Sequence, residues 1–222
     1  MAKRICKITA FTLLGIIGTL LIIVLGYVLY LSSHYYRIAD NTQLEIINNS
    51  KFDASIGNTY QISTYNIGFG AYSQDFSFFM DSGEMKDGTK VYGTGSTAKN
   101  AETVKTNTRG VVDICKELNS DFYLFQEVDT MGTRSHNVNQ LKMLSEIGNY
   151  AYNYAINFHS AYLMYPFNDP HGANTAGVAT FSKLKFDSSV RRSYPIDESF
   201  PNKFFDLDRC FSVNYINLDN SN

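Results

Sequence analysis

The sequence predicts an α/β domain that becomes increasingly β toward its C-terminal end, set behind one membrane-spanning helix. Three observations carry this expectation. An uncharged run, "ITAFTLLGIIGTLLIIVLGYVLYLS" (residues 8–32), opens the chain. A strand, an amphipathic helix and a second strand follow between residues 60 and 128. Four further strand-like segments then come with short connections, the habit of antiparallel pairing.

Size and charge bound the functions open to the chain. Its 222 residues, 44% hydrophobic and 18% charged, accommodate a short segment plus one sizeable domain, and exclude a disordered or fibrous protein. The formal net charge of −2 hides an asymmetry: beyond residue 40 there are 15 basic against 20 acidic residues, a net of −5. Broad electrostatic binding to nucleic acid is disfavoured at that balance. If such a domain handles phosphates, a bound cation should help it.

Residues 1–33 read as a cytoplasmic tip and a transmembrane signal anchor. At about 1.5 Å rise per residue, residues 8–32 are long enough to cross a hydrocarbon core of about 30 Å. Lys3, Arg4 and Lys7 precede the run and only Arg37 follows closely, so the positive-inside bias places the N-terminus in the cytoplasm and the rest outside. Tyr27 and Tyr30 sit near the far end, where aromatic rings favour the interface. The run exceeds a usual signal-peptide core and no A-x-A site follows, which favours an uncleaved anchor over a cleaved signal. Its unbroken apolar circumference argues against a buried core helix. Residues 34–58, rich in Asn and Ser and without strong periodicity, read as a tether with a short strand at "LEII"; the domain then occupies residues 59–222.

Within the domain "YQISTYNI" (60–67) is a strand. Val104, Thr108, Val111, Cys115 and Leu118 fall at helical spacing in "NAETVKTNTRGVVDICKELN" (100–119). "DFYLFQEV" (121–128) is apolar on both faces, as in the centre of a covered sheet. A single crossover helix makes the two strands parallel by default. "NVNQLKMLSEIGN" (137–149) predicts a second helix, and "YAYNYAINF", "AGVATFSKLKF", "RRSYPI" and "DRCFSVNYIN" predict the later strands. The connection from Gly68 to Ser96, rich in glycine and phenylalanine, reads as a flexible loop beside the strand ends, because structureless links above about 12–15 residues are commonly functional or disordered. Its "GTGSTA" (93–98) lacks the preceding strand that a dinucleotide fingerprint requires.

Two polar groups interrupt these core-like strands. Asn66 closes the first strand and Gln126-Glu127 the second. Asn is depleted in strand interiors, and a buried amide without partners is costly. In a strand–helix–strand unit both strand exits fall on one rim, outside which ligands bind. An amide and a carboxylate there suit a hard divalent cation such as Mg²⁺, which takes one or two protein carboxylates plus water and substrate phosphate. Taken singly, Asn66 is also a turn residue and Glu127 an exposed loop acid.

The spacing of "TYNIGFG" and "DFYLFQEVD" about an amphipathic helix resembles the first two motifs of the endonuclease/exonuclease/phosphatase superfamily, which includes deoxyribonucleases, abasic-site endonucleases, neutral sphingomyelinases and inositol polyphosphate 5-phosphatases. "AGVATFSKLKF" and "FFDLDRCFSVNYI" look like its next elements, so the resemblance runs from about residue 60 to the C-terminus. It implies a four-layer α/β/β/α sandwich and Mg²⁺- or Mn²⁺-dependent phosphoester hydrolysis. Glu127 would be the metal ligand, Asn66 would support metal and phosphate, and Arg209 would contact a phosphate; an ion pair of Arg209 with Asp206 or Asp208 is the plainer alternative.

The chain also departs from that pattern. After Arg209 there is no Gly-Asp-x-Asn and no terminal Ser-Asp-His; Asp219 lacks the first context. The groups that activate water and stabilise the pentacoordinate phosphorus are therefore missing. The resemblance thus implies the N-terminal half to two-thirds of a longer enzyme, inactive by itself. The expected substrate is a phosphoester: nucleic acid, phospholipid headgroup or phosphorylated small molecule. A non-catalytic surface binding protein on the same scaffold is the rival, and no protein partner is inferable. His34 belongs to the tether, and His136, His159 and His171 read as solvated loop residues. Cys6 is a juxtamembrane residue open to acylation, while Cys115 and Cys210 read as small core residues without metal-ligand or disulfide spacing.

Overall fold

The computed structural model describes residues 2–219 and divides between Tyr36 and Arg37 into two units. The first is one helix, α1 (Ala2–His34), whose most apolar 18-residue stretch has a mean hydropathy of 2.6. It is long and apolar enough to cross a membrane, and a signal sequence has the same character. The hydroxyls of Thr9, Thr12 and Thr19 donate to the carbonyls of Ile5, Ile8 and Gly15, so these side chains bring no unmet polar group to an apolar solvent. His34 is the last residue of this helix rather than part of a tether.

The second unit contains, in chain order, β1 (Thr42–Gln43), β2 (Ala54–Ser55), β3 (Ile62–Asn66), β4 (Ser82–Glu84), β5 (Lys90–Tyr92), α2 (Ala101–Leu118), β6 (Phe122–Gly132), α3 (Gln140–Leu144), β7 (Ala151–His159), β8 (Asn174–Ser182), β9 (Ser188–Ser193), β10 (Cys210–Tyr215) and β11 (Leu218–Asp219). A four-stranded sheet runs β3-β6-β8-β7, with β3 and β6 parallel and β8 antiparallel to both its neighbours. A second sheet, β1-β9-β10, is antiparallel throughout.

Helix α2 begins where the Asn100 side chain accepts the Thr103 amide at 2.8 Å and stops at Asn119, whose φ of 46° breaks the helical path. Its apolar stripe, Val111, Val112 and Cys115, packs on Tyr123, Phe125, Ala179 and Phe181 of the first sheet together with Leu144 and Ile147. The opposite face of that sheet meets the second sheet through polar groups. Asn153 Nδ2 donates to Ser189 Oγ and Asn214 Oδ1 at 3.1 and 2.8 Å, and Thr180 and Ser212 hydroxyls lie 3.2 Å apart. The result is an α+β arrangement of helices, sheet and sheet. Both α-helices of this unit lie on the first sheet, so a fourth layer is not found among the described residues.

Three expectations need correction. Residues 37–58 are not a tether but part of the domain: β1 pairs with β9, Asp40 binds Arg192 at 2.9 Å, and the Asn49 amide exchanges two hydrogen bonds with the Phe186 backbone. These elements are two residues long and held by side chains, which leaves no periodicity to read. The "LEII" strand is absent, and Ile47 makes an isolated bridge to Tyr152. The Gly68–Ser96 connection is not structureless either. It folds the β4–β5 hairpin and packs Phe69 edge-on against Tyr72, Phe76 and Phe78. Asp169 anchors its far end by accepting the amides of Ser96 and Thr97. Finally, α3 is a short helix continued by a 3₁₀ turn at Ser145–Ile147.

Candidate functional site

The parallel register sets Asn66 opposite Gln126 at the carboxyl edge of the first sheet. Asn66 Nδ2 donates to Glu127 Oε1 at 2.8 Å, and Asn66 Oδ1 accepts the Gly68 amide at 2.9 Å. The amide is thus fixed at both ends, and it leaves Glu127 Oε2 without a hydrogen bond among the described residues.

A backbone irregularity aims the carboxylate. Phe125 and Val128 both pack in the helix-side core, a spacing that regular strand alternation forbids. The pairing of β6 with β8 breaks its register between them, and Glu127 takes a φ of 55°. Such a bulge re-aims a side chain, and left-handed backbone at a non-glycine residue costs about 1–3 kcal/mol, an expense concentrated at functional sites.

The pair opens on a cleft of about 550 Å³ lined by Tyr65, Gly68, Tyr72, Asn107, Gly110 and Glu127, among others. The turn after β3 shapes it: Gly68, Phe69 and Gly70 have φ of 51°, 42° and 69°. Asn107 Nδ2 donates to the Gly70 carbonyl at 2.9 Å, tying α2 to this turn. Tyr72 lies across Gly68 and donates to Asp81 at 2.9 Å; burial, then Asp81, raise its phenol well above the ordinary range, so it stays a donor. A Cβ on Gly68 would stand 2.5 Å from the Tyr72 ring in a conformation only glycine adopts freely. Gly68→Ala is therefore expected to destabilise the domain by about 1–3 kcal/mol, measured as a lowered urea midpoint; an unchanged midpoint would show that the turn relaxes freely.

Beneath the pair lies a buried charge network that sequence reasoning missed. Asp129 is fully buried and receives Arg134 in fork geometry, Nε to Oδ2 at 3.0 Å and Nη2 to Oδ1 at 2.7 Å. The guanidinium also stacks 4.2 Å from the centre of Phe69. Gln140 accepts the Asp129 amide and donates to Thr108, so strand, turn and both helices share one network. The available signal was Asp129 itself, a charge set between Val128 and Thr130 within a strand.

Asn66 and Glu127 are therefore brought together, and no contact joins Arg209 to them. Arg209 is exposed just before β10, and its carbonyl accepts the Tyr194 amide at 2.9 Å. It makes no ion pair with Asp206 or Asp208 either: Asp206 Oδ1 accepts the Leu207 amide, and Asp208 is held by Arg191 at 3.2 Å and by Arg37 at 3.4 Å. Of the three loop histidines, His136 is exposed as expected, whereas the side chains of His159 and His171 are buried. His136 Nε2 lies 2.6 Å from the Ala98 carbonyl. The His159 side chain is 8% exposed with Nε2 3.7 Å from Asp208, and burial lowers its pKa despite that carboxylate. His171 is buried with Nδ1 3.1 Å from Ser96 Oγ, and burial, then Arg134, lower its pKa to about 4.

Cys115 and Cys210 are buried and free, and Cys6 is exposed. No cluster of three or more His, Cys, Asp or Glu occurs among the described residues. No family model, no curated protein and no solved structure matches this chain.

Proposed function

We propose that the protein is a membrane-anchored, extracytoplasmic domain that binds a phosphoester through a hydrated Mg²⁺ or Mn²⁺, built on the plan of the endonuclease/exonuclease/phosphatase superfamily. The observation that carries this reading is the Asn66–Glu127 hydrogen bond at the carboxyl ends of adjacent parallel strands, with the second carboxylate oxygen left over. Mg²⁺ keeps most of its waters and needs only one or two carboxylates, so a site with a single Glu fits its chemistry. Glu127 would hold the ion, and Asn66 would orient Glu127. The cation would supply the positive charge that an acidic domain otherwise lacks for phosphate. The four-layer sandwich, the superfamily membership and the outside location of the domain belong to this same proposal.

Binding and turnover separate here. Glu127 is the one carboxylate lining the cleft among the described residues, and no histidine lines it. Hydrolysis needs a base within reach of the attacking water, so the 222-residue chain is expected to bind metal and phosphoester while turning over little. This favours the non-catalytic binding role for the chain alone.

The test is Mn²⁺ titration of the full chain in detergent, followed by electron paramagnetic resonance. One site is expected. Asn66→Ala should weaken it about 10–100-fold, as loss of a group that orients a ligand does, and Glu127→Gln should remove it. Equal Mn²⁺ binding by Glu127→Gln would overturn the reading.

A further inference from the structure

The chain enters the domain at the same end at which the candidate site opens. The Ile38 amide donates to Asp208 Oδ2 at 3.0 Å, and the Ile38 carbonyl accepts from Arg191. Arg191 also donates to the Ile156 carbonyl, and Asp208 lies against His159, the last residue of β7. Strand β7 runs parallel to β6, because both are antiparallel to β8; Phe158 and Asp129 share the partner Ala176. Arg37 and Ile38, the end of β7 and the rim holding Asn66 and Glu127 therefore occupy one end of the sheets.

Covalent connection then limits where that end can be. Only Tyr35 and Tyr36 separate Arg37 from His34, the last residue of the apolar helix. Three extended residue steps reach about 10 Å. If α1 spans a bilayer, this end of the domain stays within about one headgroup layer of the lipid. The opposite end of the sheets is a nine-residue strand, about 30 Å, from this one.

The near end carries exposed aromatic side chains on two loops. Tyr165 and Phe167, 62% and 82% exposed, stand on the loop between β7 and β8. Phe200 and Phe205, 64% and 50% exposed, stand on the loop between β9 and β10. Phe79 packs against Tyr165 of the first loop, and the residue after it, Met80, is 72% exposed. Aromatic rings favour the interfacial layer of a bilayer, where they shed apolar surface without leaving water entirely.

We infer that this rim docks on the bilayer that holds the helix, so that the Asn66–Glu127 cleft faces phospholipid headgroups. The docking surface stands on chain connectivity and the exposed aromatics. The assignment of a headgroup phosphoester as the ligand rests additionally on the metal-site reading above. The acidic balance of the domain gives no reason for electrostatic adsorption, so contact should come from apolar insertion and should be insensitive to salt.

The sequence contains no tryptophan, so one introduced indole reports alone. The full chain carrying Phe167→Trp, reconstituted in phosphatidylcholine vesicles, should emit at shorter wavelength than in detergent-free denaturant. Brominated phosphatidylcholine should quench it at least about twofold, as expected for a ring at the acyl boundary. Phe200→Trp should behave alike. Phe52→Trp is the matched control: Phe52 is 73% exposed, and its carbonyl accepts the Lys185 amide at the far end. It should stay solvent-like and unquenched.

Equal quenching at residues 52, 167 and 200, or none at 167 and 200, would overturn the docking surface. Blue-shifted but unquenched emission from the Phe167→Trp chain would show a protein contact, such as a second copy, and would overturn it too. Mn²⁺ binding distinguishes the two readings. Quenching that persists while Mn²⁺ fails to bind leaves the docking surface and removes the headgroup assignment; Mn²⁺ binding without quenching removes the docking surface and the headgroup assignment with it, and leaves the metal site.

Discussion

Arg134→Ala is expected to destabilise the domain by about 3–5 kcal/mol, the cost of leaving a buried charge without its partner. Asp129 has no exposed surface, and both its oxygens accept from the Arg134 guanidinium. Removing the guanidinium strands the carboxylate and also empties the space over the Phe69 ring. The effect should reach the candidate site. Asp129 lies two residues beyond Glu127, and Phe69 is the buried plug of the turn that follows Asn66. Urea unfolding of the full chain in detergent measures the loss, and Mn²⁺ affinity at low urea measures the looseness of the rim. Replacing both partners by apolar residues, Asp129→Leu with Arg134→Met, should recover much of the stability, because a buried pair is often no better than well-packed apolar groups. A double variant less stable than Arg134→Ala would show that the desolvated charge is not the source of the loss.

The network also explains what was legible in the sequence. Helix α2 and strand β7 could be read because their buried residues recur at one period, and β6 because its first residues are apolar on both faces. The pairing of Asn66 with Glu127 followed from topology, since one crossover helix fixes the exits of both strands on one rim. The bulge at Glu127 was invisible, because an extra residue in a strand shifts the period without changing composition. The same holds for β1 and β2, whose two-residue pairings depend on Asp40 and Asn49 finding distant partners. The glycines between Gly68 and Ser96 suggested slack, whereas four aromatic rings, Phe69, Tyr72, Phe76 and Phe78, pack that segment from within. Burial of His159 and His171 depended on Asp208 and Ser96, contacts remote in sequence that no local pattern encodes.

Stability should fall as pH is lowered from about 6.5 toward about 4, by up to about 3 kcal/mol from His171 alone. The sign follows from the environment. His171 is 6% exposed, lies among the rings of Phe78, Phe79 and Phe158, and feels the Arg134 charge. Burial and that cation disfavour imidazolium; the contact with Ser96 and the Asp169 carboxylate only partly oppose them. Above about pH 6.5 the ring is neutral folded and unfolded alike, and the full stability is present. Between the two values the unfolded chain takes up a proton that the folded chain refuses, so stability drains as pH falls. His159, lowered by burial in the same direction, adds to the slope. Asp169 acts lower: burial pushes it up, but hydrogen bonds from Ser96 and Thr97 outweigh that and hold it below the ordinary carboxylate range. His171→Gln keeps a hydrogen-bonding group for Ser96 and removes the titration. Its urea midpoint should therefore change less between pH 7 and pH 5 than that of the unaltered chain. Identical slopes in the two proteins would place the acid sensitivity elsewhere. Because Ser96 and Asp169 anchor the far end of the aromatic segment beside the cleft, proton uptake at His171 should loosen that wall before the sheets unfold. Faster amide exchange at residues 72–97 at pH 5, with β6 and β8 still protected, is the expected sign.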